Sequence, residues 1–397
     1  DAPEAAPVAA SAGGSGGMAG PGGSGGSGAA GGTGGIGSGA GGVGGMECGG
    51  ADLQTDAENC GECERSCAGA DCEGGMCVRT LLTSRDGTAA RLLVEGEDAY
   101  YTTLVGATER GVYRYSPADA DPPLRPPDTR LIDALIAENS KGAKELALLE
   151  GDVYFTANES KTLRRVPASS TVSTTPEIVY DDSTEAALLA LAASAGTLQG
   201  PPAVHFHREA ETPIFITVGN MSDQVLSQDV VAEPIAMVVG TEHIGDVYYA
   251  QSSPAKVVWR RTPTASHDIY TASTVADLVL DATHVYWVDV LGAVGRHERG
   301  EPYGSAPPPG APAIVFPSGQ ACNGPRQIAL EPGDDFVYIG GCGRVRRVSK
   351  EPDGPPPLDI VQLPDGDHVI ADIAVAGPWL YILAEQADVT ALWRTPK

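Results

Sequence analysis

Cationic side chains are scarce in this chain of 397 residues: 26 Lys and Arg stand against 52 Asp and Glu, a net charge of −26 at pH 7. Such a protein repels polyphosphate backbones and anionic bilayers, so neither nucleic acid nor a lipid surface is an expected partner. No apolar run approaches the roughly 20 residues that a membrane-crossing helix needs, and no apolar core of a secretion signal is present. Also missing are a phosphate-binding loop, a dinucleotide fingerprint and a spaced Ser, His and Asp set. Gly-x-Ser-x-Gly matches occur, as around Ser15, but in low-complexity sequence with no strand-to-helix elbow to hold a nucleophile. No catalytic residue, cofactor or resident metal is expected, and the chain reads as non-enzymatic.

Aromatic residues are only 6% of the chain, yet they recur in one phrase. Its copies are Tyr100-Tyr101-Thr102, Tyr154-Phe155-Thr156, Phe215-Ile216-Thr217, Tyr248-Tyr249-Ala250, Tyr286-Trp287-Val288, Tyr338-Ile339-Gly340 and Tyr381-Ile382-Leu383. Their mean spacing of about 47 residues is the period of a four-stranded propeller blade. An apolar stretch precedes most copies, as in Val275–Leu280 and Ala371–Val375. A strand that often ends in Arg follows, as in Val345-Arg346-Arg347, and a short fourth strand closes most units. The first two strands are nearly all apolar and the outer two are mixed, the gradient of a blade from axis to rim. The fold class is therefore all-β, a β-propeller with seven four-stranded blades. Stacked sandwiches are the rival architecture. The third unit, Ala186 to Val231, is the least regular, with Val204-His205-Phe206 and Ile214-Phe215-Ile216 competing for its central strand, so six and eight blades stay open. The chain ends after the third strand of its last unit. Val78–Leu82 has no other partner and is expected to pair with Ala391–Thr395, removing an exposed edge.

These residues resemble a family. Tyr286-Trp287-Val288-Asp289 is similar to the Tyr-Trp-Thr-Asp phrase of extracellular YWTD propellers, and the units also resemble looser NHL-type blades. The resemblance covers most of residues 78–397. It implies the fold but no catalytic residue, because these families share no single activity.

Three regions follow: a Gly/Ala/Ser-rich segment 1–47, a Cys-rich module 48–77, and the propeller 78–397. In the first, 22 of the 51 glycines fall within the first 50 positions, so it buries too little apolar surface to offset its own ordering. The second holds Cys48, Cys60, Cys63, Cys67, Cys72 and Cys77, which suit three disulfides in any of fifteen connectivities. Zinc is the rival reading of Cys60-Gly61-Glu62-Cys63, but no second Cys-x-x-Cys follows. Cys322 and Cys342 flank a hairpin of the sixth unit and are expected to form a fourth bridge. Eight cysteines point to an oxidising compartment, extracellular or at the cell surface. A first residue other than Met suits a mature chain whose signal has been removed. The Gly-rich leader, Cys cluster and degenerate propeller together resemble secreted or surface proteins of myxobacteria.

Candidate ligand sets are few. His205 and His207 share one strand face, continued by Glu209, a spacing that can chelate a metal, although a solvated face is the plainer reading. Asp52, Asp56 and Glu58 could hold calcium but fit no EF-hand. Asp181-Asp182 and Asp334-Asp335 read as turns, and Asn158-Glu159-Ser160 and Asn220-Met221-Ser222 match the glycosylation pattern. Asp277 and Asp372 occupy equivalent places on innermost strands, where a repeated structural hydrogen bond competes with an axial metal. The expected function is a secreted structural or assembly protein whose propellers are linked through the Gly-rich segment. Its expected partners are copies of itself or other surface proteins. The alternative is a glycan- or protein-binding propeller with that segment as a spacer.

Overall fold

A computed structural model describes residues 52–62, 65–67, 71–105, 109–117, 133–137, 145–157, 161–181, 188–194, 203–208, 214–219, 222–227, 234–239, 247–252, 255–262, 265–270, 274–299, 313–317, 326–363 and 368–397. The expectations for segment 1–47, Cys48, Cys63, Cys322, Glu209, Asp182 and Asn158–Ser160 lie outside these residues, as does Asn220 of the second glycosylation match. The compact unit Glu47–Lys397 holds the Cys-rich module and the sheets together.

Among the described residues, seven four-stranded antiparallel sheets are formed. Blade 1 comprises Thr88–Glu95, Asp98–Val105, Glu109–Tyr115 and Asp133–Ala137. Blade 2 comprises Leu146–Leu149, Asp152–Ala157, Thr162–Pro167 and Glu177–Asp181. Blade 3 comprises Leu188–Ser194, Ala203–Arg208, Ile214–Gly219 and Ser222–Ser227. Blade 4 comprises Pro234–Val239, Val247–Ser252, Ala255–Thr262 and Ala265–Tyr270. Blade 5 comprises Val275–Leu280, His284–Asp289, Val294–Glu298 and Ala313–Phe316. Blade 6 comprises Gln327–Ala329, Phe336–Gly341, Arg344–Ser349 and Leu358–Gln362. Blade 7 comprises Val369–Ala376, Trp379–Gln386 and Val389–Pro396, with Thr80–Asp86 as its outer strand. Each first strand touches the first strand of the next blade, and that of blade 7 touches that of blade 1, so the inner strands close a ring.

The recurring phrase is the joint between blades. Successive strand residues face opposite sides of a sheet. The tyrosine faces the following blade: Tyr100 packs with Val153 and Phe155, Tyr286 with Val337 and Ile339, and Tyr381 with Ala99 and Tyr101. The next residue faces the preceding blade, as Phe155 meets Tyr100 and Trp287 meets Tyr248. Two adjacent large residues thus bury both faces of every second strand. Aromatic burial of this kind removes about 150–250 Å² per ring from water. Trp287 needs extra room: a Cβ on its cross-strand neighbour Gly295 would lie 2.4 Å from the indole.

The third blade differs from expectation. Phe215-Ile216-Thr217 lies on the third strand, not the second. The second strand carries Val204-His205-Phe206, with His205 at the tyrosine's register. His205 is 1% exposed and Phe206 packs back on Tyr154 of blade 2, so the pair does the work of the aromatic phrase. The solvated-face reading of His205 is therefore wrong: the ring is buried between sheets.

Closure follows the expected partner with a shifted register. The outer strand begins at Thr80 rather than Val78 and runs on to Asp86, pairing Thr80 with Arg394, Ser84 with Ala391 and Asp86 with Val389. Leu82 is buried beneath it, and the chain then turns directly into the inner strand of blade 1.

The Cys-rich module is small. Cys60–Cys72 and Cys67–Cys77 are bridged, and these four cysteines, with Ala57 against them, form its core. Its hairpin, Cys72–Glu73 with Met76–Cys77, lies against the outer strand of blade 6. Glu62 pairs with Arg347 at 2.5 Å, and Arg79 donates to the Gln362 carbonyl at 3.0 Å. Cys342 is also disulfide-bonded, to a residue outside those described.

Candidate functional site

Four charged groups from inner strands converge on the axis. Arg91 lies on blade 1, Glu145 leads into the inner strand of blade 2, and Asp277 and Asp372 lie on blades 5 and 7. Arg91 Nε donates to Glu145 at 3.0 Å, and its Nη1 lies 4.0 Å from Asp372. Asp277 reaches Arg91 through its field from the far side of the ring.

Both aspartates make the same hydrogen bonds. Asp372 accepts from its own neighbour Ile373 at 2.9 Å and from Leu92 of the next blade at 2.8 Å. Asp277 accepts from Leu278 at 2.9 Å and from Ile328 of the next blade at 3.1 Å. Each follows a register shift in its inner strand, which turns the carboxylate toward the neighbour. Threonines do a related task on blades 1 and 2: Thr102 Oγ1 accepts from the Arg91 amide, and Thr156 Oγ1 from the Glu145 amide. The repeated hydrogen bond expected of these aspartates is thus present.

Burial pushes the Asp372 carboxyl up to about 7, against the pull of Arg91, with Asp277 adding to the rise. Burial likewise pushes Asp277 up to about 6. Glu145 and then the two aspartates hold the Arg91 guanidinium more firmly charged, against the opposing effect of burial. A carboxyl raised on folding stabilises fully below its unfolded value of 3.8, and that contribution disappears as pH rises through the folded value. Wild type should therefore lose Tm relative to Asp372→Asn between pH 4 and pH 8, by roughly 2 °C or more. A Tm difference that is constant across this range would refute the assignment.

A second feature is a cleft of about 640 Å³ between the turns of blades 5 and 6. Asp281 anchors one wall, accepting from the Thr283 and His284 amides at 2.9 and 2.8 Å and from Lys350 Nζ at 3.0 Å. Burial opposes ionisation there, but these hydrogen bonds outweigh it and hold the Asp281 carboxyl well below the usual range. Burial, and then Arg296, push the His284 imidazole down. Arg296 of blade 5 grips Glu351 with two hydrogen bonds, 2.6 and 2.9 Å. The Asp281–Lys350 and Arg296–Glu351 pairs therefore staple two blades across the cleft floor.

Other sequence candidates resolve into turns. Asp52 accepts from the Gln54 amide and the Thr55 hydroxyl, and Asp56 from the Glu58 amide and Asn59, so these oxygens cap a local turn. Asp334 caps its own turn at Phe336 and accepts from Tyr338 and Lys397. The sulfurs of Cys60, Cys67 and Cys77 lie within 4.8 Å of one another, but they belong to two stacked disulfides rather than a thiolate set for zinc. Burial pushes His205 down to about 4, leaving it neutral at pH 7. Arg91 and Glu145 were not singled out in the sequence. Their signal is a charge within, or just before, an otherwise apolar first strand.

No family model and no curated protein matches the chain. Solved structures do. The WD40 propeller domain of Doa1 superposes with a TM-score of 0.54 at 11% identity, over 79% of this chain and 96% of that one. The fold is a β-propeller. The propeller domain of Myceliophteria thermophila Cps50 (Swd1) also gives 0.54, at 9% identity over 80% and 99% of the two chains. The Neurospora crassa Pan2 WD40 domain gives 0.50 at 12% identity over 80% and 96%. At these identities the propeller is shared as a fold, and the likeness to YWTD and NHL blades extends no further.

Proposed function

We propose that this propeller is a secreted, non-enzymatic assembly protein of the cell surface or an extracellular filament, its copies linked through the Gly-rich segment 1–47. The observation that carries the reading is the anchoring of the Cys-rich module. Segment 1–47 continues directly into that module, which two disulfides lock and which Glu62 and Arg79 fasten to blade 6. Load on the segment would pass through covalent bridges into the rim beside the strand that closes the ring. The axial carboxylates are consistent with this reading, since Asp277 and Asp372 each accept from two backbone amides, as a structural role requires. Disulfides suit an oxidising exterior. No helix among the described residues is long and apolar enough to cross a membrane. Glycans or other surface proteins are the alternative partners, and the cleft between blades 5 and 6 is the observation that favours this second reading.

Electron microscopy of the full chain beside a version lacking residues 1–47 tests the proposal. Filaments that vanish on truncation are the expected result. Single ring-shaped particles in both samples would refute it and leave the segment as a tether.

A further inference from the structure

On the ring face opposite the cleft, the turns joining second and third strands of blades 5 and 6 enclose a recess of about 30 Å³. Arg326, Arg344 and Arg346 line it, together with Leu291, Phe316 and Ile339. By the same measure one water needs about 10–15 Å³, so the recess admits a group of a few heavy atoms. We propose that this recess binds the carboxylate of a partner polypeptide, with the adjoining apolar side chain on the Leu291 and Phe316 rim.

Three observations converge on this assignment. First, Arg326 is held in place. It is 8% exposed, and its guanidinium lies between the backbones of Gly292 and Gly341. A Cβ at Gly341 would stand 2.7 Å from Arg326 Nη1, and one at Gly292 would stand 3.2 Å from its Cζ. Gly292 also has a φ of +85°, a region that side chains disfavour. Two glycines thus make a slot for a flat cation, so little side-chain entropy remains to be lost on binding.

Second, three arginines gather at the recess within a protein of net charge −26. Asp359 faces Arg344 at 3.4 Å and Arg346 at 2.6 Å. Asp289 acts on Arg326. Among the described residues, two carboxylates thus face three guanidinium groups. Burial lowers the proton affinity of Arg326, and the fields of Arg346 and Arg344 lower it further, with Asp289 opposing. An incoming carboxylate would relieve that repulsion, and the planar forks of arginine match its geometry.

Third, the rim is apolar and exposed. Leu291 is 47% and Val290 44% exposed, and Ile314, on the same strand face as Phe316, is 44% exposed. Exposed aliphatic groups beside an anion pocket suit a peptide with an apolar residue next to its carboxylate. A sugar acid would set hydroxyl groups against them without hydrogen-bond partners.

The inference does not depend on filament formation, since segment 1–47 takes no part in the recess. The test is titration calorimetry of the full chain with N-acetyl-leucine, N-acetyl-leucinamide and glucuronate. Expected are saturable binding of N-acetyl-leucine with a Kd of about 1 mM, no binding of the amide, and loss of roughly tenfold in affinity in Arg344→Gln and Arg346→Gln. These two side chains are about one-third exposed, so the variants should fold, and an unchanged Tm checks this. Arg326→Met removes the buried member and should abolish binding wherever the variant stays folded. Equal binding of acid and amide, or variants that bind like wild type, would overturn the assignment. Glucuronate binding as tightly as N-acetyl-leucine would overturn the peptide in favour of a sugar acid.

Discussion

Arg91→Leu should destabilise the ring by about 3 kcal/mol at pH 7, the low end for breaking a buried ion pair. The low end applies because the Arg91 side chain keeps 25% exposure and water reaches the axis. Without the guanidinium, Glu145 loses its partner at 3.0 Å, and Asp277 and Asp372 lose the one cation acting on them among the described residues. The aspartates must then take up protons at pH 7 or face Glu145 as like charges from blades 2, 5 and 7, where low dielectric magnifies the repulsion. The penalty should shrink at pH 5, because burial already favours the protonated form of both aspartates. Urea unfolding at pH 7 and pH 5 measures both effects. A variant equal in stability to wild type at pH 7, or equally weakened at both values, would show that the axial charges do not hold the ring.

Removal of the closing strand should have a larger effect. A chain that begins at Gly87 keeps every inner strand but leaves blade 7 with three strands and its Val389–Pro396 edge unpaired. Leu82 and Thr83, both buried, leave the core. Leu82→Ala alone should cost about 2–4 kcal/mol. Loss of the whole strand should consume most of the about 5–15 kcal/mol that domains possess. The truncated chain is expected to unfold, or to oligomerise through the free edge. Light scattering with far-ultraviolet circular dichroism distinguishes it from the intact protein. A peptide of residues 78–86 added in trans should restore part of the lost stability by pairing with that edge. A folded monomer with unchanged Tm would mean that closure is dispensable.

Most of the architecture was legible because its signal is local. An aromatic pair at adjacent positions buries both faces of a strand, and each blade repeats that requirement. The third blade misled for a physical reason. Val204-His205-Phe206 and Ile214-Phe215-Ile216 have the same alternation, and nothing within either segment says which one meets the neighbouring blade. His205 could be recognised as the tyrosine's substitute only once its register and its burial were known. Elimination points to the closing strand, but the strand starts at Thr80 rather than Val78 because Val78 still belongs to the turn after the Cys-rich hairpin, where its amide bonds to Asp71. Cysteine spacing allowed fifteen connectivities, and only the packing of the module selects Cys60 with Cys72 and Cys67 with Cys77.

The sequence by itself determined the all-β repeat, the strand that completes the last blade, the acidic surface and the Cys-rich character of the module. These depend on residue type and on neighbours a few positions away. The tertiary structure decided which charges share the axis and which arginines share a recess. Arg91, Glu145, Asp277 and Asp372 lie far apart along the chain and meet because the ring closes. Arg326 approaches Arg344 and Arg346 because two turns of adjacent blades leave it a glycine-lined slot. Coulomb energy depends on distance through space, and that distance is set only when the seventh sheet meets the first.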